Sequence, residues 1–384
     1  MSGGASLLSQ WLFDKTLPYW RTHAIDHELG GFHEMLDSTL LPASESGKRI
    51  MVQGRLIFVF SQAYLQNHHP ADLNAAKAGF EFLKSYGLHS DGGWRHKVGR
   101  TGAPLDDNRD LYDQAFVLFA MAWYGRASGS AAALDFADFT IDFLDTRMAH
   151  PKGGYVNALP DGAAPHQAPE SRGVSRLQNP HMHLLEAFLA LYETTNDDRW
   201  LEHAKRVIAL FKGRFIVDGT LREYFSDAWM PQTGDVGQIT EPGHHFEWVW
   251  LLHKFARLAN DPSVVQDADS LYHFANNHGV DEKSGGVLDE VSAIGSVLRK
   301  SRRLWPQTEV LKAHAALLKA GDDAAAVRLE AALQALWLNH LDGAPAGGWR
   351  EHLDENDSPL RTDMPASSLY HLSMAVAELN TLAN

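Results

Sequence analysis

GGWRHKV, residues 92–98, carries the local pattern that repeats through the chain. Two glycines precede a large apolar residue, and polar–apolar alternation follows, the pattern of a turn running into a short strand. The signal recurs at Gly30–Gly31–Phe32, Gly153–Gly154–Tyr155, Gly285–Gly286–Val287 and Gly347–Gly348–Trp349, with a degenerate copy at Asp218–Gly219–Thr220–Leu221. Six copies spaced by about 61 to 67 residues mark an internal repeat.

Between these signals lie pairs of segments with apolar residues at helical spacing, such as Leu184, Phe188 and Leu191, or Phe136, Phe139 and Phe143. They fall roughly at 5–22, 50–66, 71–87, 110–127, 130–148, 180–195, 197–213, 243–260, 263–278, 306–319, 323–340 and 366–382. Twelve helices in six repeats predict an all-α (α/α)6 barrel with short hairpins in its loops, one helix of each pair inside and the other outside. An open solenoid is the rival, but it calls for polar caps at its ends, and none is visible. No linker-like or low-complexity stretch interrupts residues 1–384, which are expected to form a single barrel domain.

Composition narrows the function. A net charge of −14 with no basic block argues against nucleic acid and anionic membranes. The absence of cysteine excludes disulfide and thiol chemistry and suits a reducing compartment. The first residues lack a signal-peptide pattern, and no apolar run has the roughly 20 residues of a membrane helix, so a cytoplasmic location is expected. The 21 His and 11 Trp suggest a polar aromatic cleft of the kind that binds sugars, whose CH faces stack on Trp.

One helix of each pair opens on unusual polar residues: Gln53–Gly54–Arg55, Leu111–Tyr112–Asp113, Asn179–Pro180–His181–Met182–His183, Gly243–His244–His245–Phe246–Glu247, Pro306–Gln307–Thr308–Glu309 and Ser368–Leu369–Tyr370–His371. If these are the inner helices, the polar starts gather at one mouth of the barrel, where buried polar groups need partners. In His181-x-His183 the two rings point to different faces, and His183 shares a face with Asn179, four residues earlier. Of the neighbours His244 and His245, His244 shares a face with Glu247 and is placed inward. The first turn of a helix carries positive potential, so His244 is expected to be neutral there and fit to accept a proton. Glu309 lies four residues after Trp305, a carboxylate beside an aromatic platform. His371 has an apolar following face and becomes a candidate base if it sits opposite His244.

Three inward histidines, His183, His244 and His371, could meet around zinc, although HExxH and Cys are absent. No P-loop or GxGxxG pattern calls for a nucleotide cofactor. Glu247 and Glu309 could serve a glycoside hydrolase, and a non-enzymatic toroid that presents a binding surface is a further alternative.

The motifs Gln53–Gly54–Arg55, NPHMHLLEA (179–187), EPGHHFEWVWLL (241–252), RLWPQTE (303–309) and SSLYHL (367–372) together resemble the N-acylglucosamine 2-epimerase superfamily, which includes cellobiose 2-epimerases and mannose isomerases. They span nearly the whole chain, in order and at repeat spacing. The resemblance implies an (α/α)6 barrel, His244 and His371 as acid/base histidines, and Arg55, Tyr112, Asn179, His183, Glu247, Trp250, Trp305 and Glu309 around the sugar. It implies no metal and no nicotinamide. Cellobiose 2-epimerases tend to carry two adjacent Trp before Q-x-E. Leu304–Trp305 stands there in this chain, which suggests a weaker second sugar subsite and a free monosaccharide substrate. The expected activity is aldose–ketose isomerisation of mannose and fructose through an enediol, with sugar 2-epimerisation as the alternative. Glu247 is expected to orient His244 or to bind a hydroxyl. Arg302 and Arg303 leave a phosphorylated sugar open, and the sequence says nothing of oligomeric state.

Overall fold

The structure is a computed structural model and describes residues 3–43, 47–163 and 175–383. Six inner helices, Ile50–Asn67, Leu111–Ser128, Asn179–Thr195, Pro242–Ala259, Leu304–Lys319 and Ala366–Asn380, stand around a central axis. Each packs on the next, and the sixth packs back on the first, so the ring is closed. The outer ring is made by residues 3–23 and by Pro70–Phe82, Ala131–Phe143, Asp198–Leu210, Val265–His278 and Ala325–Leu336. The chain is therefore the (α/α)6 barrel that the repeats predict.

Sequence pattern explains the layering. The inner helices are buried on nearly all faces, as helices apolar all round must be. The outer helix Asp198–Leu210 is amphipathic: it buries Trp200, Leu201, Ala204, Val207 and Ile208 and leaves Glu202 and Lys205 in solvent. Inner helices one to four end on a left-handed residue, His68, Gly129, Asn196 and Asn260, which turns the chain back to the outer ring.

Closure is also written in short antiparallel strands at one mouth. The strand just before each inner helix pairs with the strand of the following repeat: Lys48–Arg49 with Lys97–Val98, Arg109–Asp110 with Ala158–Leu159, Arg176–Leu177 with Tyr224–Phe225, Ile239–Thr240 with Glu290–Ser292, and Arg302–Arg303 with His352–Leu353. Met364–Pro365 then pairs with Met35–Leu36 of the first repeat. The expected local hairpins are thus the smaller part of the pattern, because most of the pairing stitches one repeat to the next.

Among the described residues a side-chain clamp fixes five of the six turns to an inner helix; in the sixth repeat Leu369 holds the equivalent place. The apolar residue of the motif offers its backbone to a Gln: Phe32 N–H donates to Gln53 at 2.7 Å and Phe32 C=O accepts from it at 2.9 Å. Gln114 does the same for Trp94, and Gln307 for Val287. In the third and fourth repeats a histidine replaces the Gln, with Tyr155 N–H on His181 at 3.0 Å and Leu221 N–H on His245 at 3.3 Å. The second glycine of the motif is required sterically. At Gly93, φ is +73°, and a Cβ would meet Phe143 at 2.4 Å.

Gln307→Leu strands the buried N–H and C=O of Val287 and is expected to cost about 3 kcal/mol. Urea unfolding measures this, and Gln307→His, which keeps an acceptor for the N–H, is expected to cost less.

Candidate active site

The inner helices place equivalent residues at equal depths along the axis. One level is made by Arg55, Phe116, His183, Glu247, Glu309 and His371, each two residues after the clamp position of its helix. Above it, towards the strand-rich mouth, stand Tyr112, Asn179, His244 and Trp305. Between these levels lies a cavity of about 200 Å³ lined by Arg55, Tyr112, Asn179, His183, Glu241, His244, Glu247, Arg303, Trp305 and His371. A larger cleft of about 560 Å³, around Asp281, Lys300 and Glu355, lies outside the barrel axis and brings together no acid/base pair.

The choice between adjacent histidines has a structural reason. His181 and His245 are spent on the turn clamps, whereas His183 and His244 line the cavity. Trp305 lies between the two candidate acid/base groups, with ring centroids 4.9 Å from His244 and 5.7 Å from His371. Gly243 makes room for it, since a Cβ there would meet the Trp305 ring at 2.6 Å.

The two histidines have carboxylate partners, and neither partner is Glu247. His244 Nδ1 meets Glu223 at 3.0 Å, and His371 Nδ1 meets Glu309 at 2.7 Å. Their surroundings pull them apart. Burial works against charge on His244, but Glu223, Glu241 and Glu247 outweigh it and push its pKa up to about 9. The imidazolium expected from these carboxylates replaces the neutral ring that the helix-terminus argument predicts: the dipole is a weaker influence than three carboxylates. His371 goes the other way, well below the usual histidine range, because burial and the cations Arg55 and Lys312 both disfavour its charge. One cavity therefore faces an acid and a base.

Around them are groups that await a ligand. Neither oxygen of Glu247 accepts a hydrogen bond, and the amide oxygen of Asn179 has no donor. Sugar hydroxyls would satisfy both. Arg55 is no barrel-closing ion pair. It donates to Tyr112 Oη at 2.7 Å and to the Ser367 carbonyl at 3.1 Å, stacked between Phe116 and Tyr370.

Three expectations are corrected. Trp250 does not line the cavity: it lies one level deeper, carries the Lys312 ammonium 3.9 Å above its ring, and faces a separate cleft at the opposite end of the barrel. Glu309 is buried behind His371 and touches that ring and Lys312, which removes one of the two carboxylates a hydrolase would need. Leu304 is fully buried, so it does not stand in the place of a lost sugar platform. The sequence reading also missed Glu223, Glu241 and Lys312. Glu223 was findable: it lies two residues after Leu221, the apolar residue of the degenerate turn motif, the place of Glu34, Asn157 and Asp289 in other copies. Each of these accepts the backbone N–H at the start of the next inner helix, and Glu223 reaches on to His244.

This closed barrel, with its His-lined and carboxylate-rich mouth, belongs to the class of sugar isomerases and epimerases. The chain is a member of the N-acylglucosamine 2-epimerase (GlcNAc 2-epimerase) family, which matches residues 14–375. It is 32% identical to a mannose-6-phosphate isomerase of Rhizobium meliloti, over 98% of this chain and 96% of that protein. It is 25% identical to a D-mannose isomerase of Marinomonas mediterranea, over 90% and 89% of the two chains. Its fold superposes on cellobiose 2-epimerase from Bacillus thermoamylovorans with a TM-score of 0.90 at 22% identity, over 99% and 100% of the chains.

The His244–Glu223 pair should be visible in stability. The folded pKa of about 9 lies above the ordinary value of 6.5, so the stabilisation is complete below about pH 6.5 and is lost as pH rises through about 9. The difference in unfolding free energy between the wild type and Glu223→Gln is expected to shrink by about 3 kcal/mol from pH 6 to pH 10 in urea titrations.

Proposed function

We propose that the chain is an aldose–ketose isomerase that interconverts free D-mannose and D-fructose. The observation that carries the reading is a pair of histidines, pushed to opposite charge states, facing one cavity of about 200 Å³. The His244 imidazolium donates its Nε2 proton to the ring oxygen as the C1–O5 bond breaks, and takes the proton of the C1 hydroxyl as the carbonyl forms, so it is an imidazolium again in the open-chain complex. In the neutral His371, Nδ1–H is held by Glu309, so the Nε2 lone pair is free to take the C2 proton, acidified by the C1 carbonyl. The electron pair moves into an enediolate whose oxygen is met by the donors of Arg55 and His244. Return of the proton to C1 from His371, with the O2 proton passing to O1 by way of His244, gives the ketose. Return to C2 on the opposite face, from His244, gives the epimer, so 2-epimerisation is the second reading. It is favoured by the fold shared with cellobiose 2-epimerases.

An unphosphorylated sugar fits the charges. Arg303, at the cavity rim, is already paired with Glu241 at 2.6 Å and Asp289 at 2.9 Å. Arg302 is turned away to Asp281 and Asp357. Glu241 and Glu247 line the cavity and oppose a phosphate dianion.

Purified protein is expected to convert mannose to fructose, with kcat/KM for mannose 6-phosphate at least about tenfold lower. NMR of the products and a coupled assay check this. Glucose without fructose would move the activity to the epimerase, and faster turnover of the phosphorylated sugar would contradict the charge argument. The mannose activity should fall as pH rises through about 9, where His244 loses its proton.

A further inference from the structure

At the floor of the cavity the axis holds a buried charge cluster of which the proton-transfer scheme uses only Glu309. Glu186, Glu247 and Glu309 come from three different inner helices, and each is almost fully buried. Their oxygens form two crossing groups of ligand-type atoms, one with His183 and one with His371. Three carboxylates packed together in a low-dielectric interior need a cation. Lys312 supplies it: fully buried, its ammonium lies 2.5 Å from Glu309 and 3.7 Å from Glu247, seated on the Trp250 ring.

We propose that Lys312 is a positioning residue for the C2 proton transfer: its ammonium keeps Glu309 ionised, and Glu309 in turn holds the shared proton on His371 Nδ1, leaving Nε2 bare towards the sugar. This rests on the isomerase or epimerase reading for its catalytic consequence, and on geometry alone for the tautomer. Burial and the neighbouring Glu247 push Glu309 well above the usual carboxylate range, and the Lys312 ammonium, in contact with it at 2.5 Å, is the chief influence that draws it back. Burial also works against the charge of Lys312, but Glu309, Glu247 and Glu186 more than restore it. Without that ammonium Glu309 would take a proton, its O–H would donate to His371 Nδ1, and the ring would carry its own hydrogen on Nε2. A base would become a donor with no change in shape.

The other groups around the cluster do not replace Lys312. Arg55 is engaged by Tyr112 and the Ser367 carbonyl. His183 Nδ1 meets Glu186 at 3.1 Å, and Tyr370 Oη donates to Glu186 at 2.5 Å, so both serve the third carboxylate and not Glu309. Lys312 itself does not line the cavity, so it acts on the base and not on the substrate.

Lys312→Met keeps the length and apolar stem of the side chain and removes the charge. It is expected to lower kcat for mannose by about a hundredfold or more, with KM changed by less than about threefold. In ¹⁵N-histidine spectra of the free protein, His371 is expected to pass from the Nδ1–H to the Nε2–H tautomer. In a Glu309→Gln background, whose amide oxygen can still accept from Nδ1–H, the same change should cost less than about threefold in kcat. Unchanged kcat in Lys312→Met, an equal cost in both backgrounds, or an unchanged tautomer would overturn the proposal. If Lys312→Met fails to fold, Lys312→Gln carries the same comparisons. A wild type inactive on mannose and its epimers would instead sink the functional reading, and the tautomer measurement would still decide the role of Lys312.

Discussion

Everything at the mouth of this barrel depends on the clamp between a turn and the inner helix it precedes. A Gln or His side chain in the first helical turn satisfies the backbone N–H of the apolar residue in the Gly-Gly motif, and the Gln does so for its C=O as well. The clamp is local, yet it sets the height of the first five inner helices, and the sixth, with Leu369 at that place, is held by the pairing of Met364–Pro365 with Met35–Leu36. Because the height is common, residues two positions on converge at one depth, and Arg55, His183, Glu247, Glu309 and His371 meet on the axis. Strand pairing from each repeat to the next then closes the circle, so no helix can slide without breaking two partners.

Polarity at the axis costs stability, and the barrel confines it to one end. The second inner helix contributes Phe116 to the shared level and Phe119 below it, both core residues. The third, fourth and fifth contribute charge: Glu186, Glu247, Glu309 and Lys312. The asymmetry among otherwise equivalent repeats is what separates the two histidines. His244 faces carboxylates on its strand-side partner Glu223 and on Glu241, while His371 lies beside Arg55 and above Lys312. Two identical side chains are thereby made acid and base by where the repeat puts them.

Much of this was legible in the sequence, and the limits have physical causes. The repeat period, the helix pairs and the inner set follow from Gly-Gly turns and apolar spacing, which are local signals. His183 over His181 and His244 over His245 followed from helix geometry, and the clamps show what the other two rings do. What spacing could not reveal is contact between repeats. Glu223 reaches His244 from a loop 21 residues away, and Glu309 reaches His371 across 62. The i, i+3 spacing of His244 and Glu247 does not reveal its hydrogen-bond partner Glu223, and the helix dipole is outweighed by that carboxylate together with the local Glu241 and Glu247. The resemblance put Trp250 around the sugar, but it follows Glu247 by three residues and lies almost one helical turn deeper, against a separate cleft.

The central claim is that a neutral His371 takes a proton from C2 and that an enediolate carries the reaction. The most direct measurement is turnover of mannose in D2O with excess EDTA, with the products followed by NMR. An enediolate route yields fructose carrying deuterium at C1, at a rate that EDTA does not change. Fructose formed with the original C2 hydrogen fully retained at C1, and an activity abolished by EDTA, would point to a metal-assisted hydride shift and contradict it.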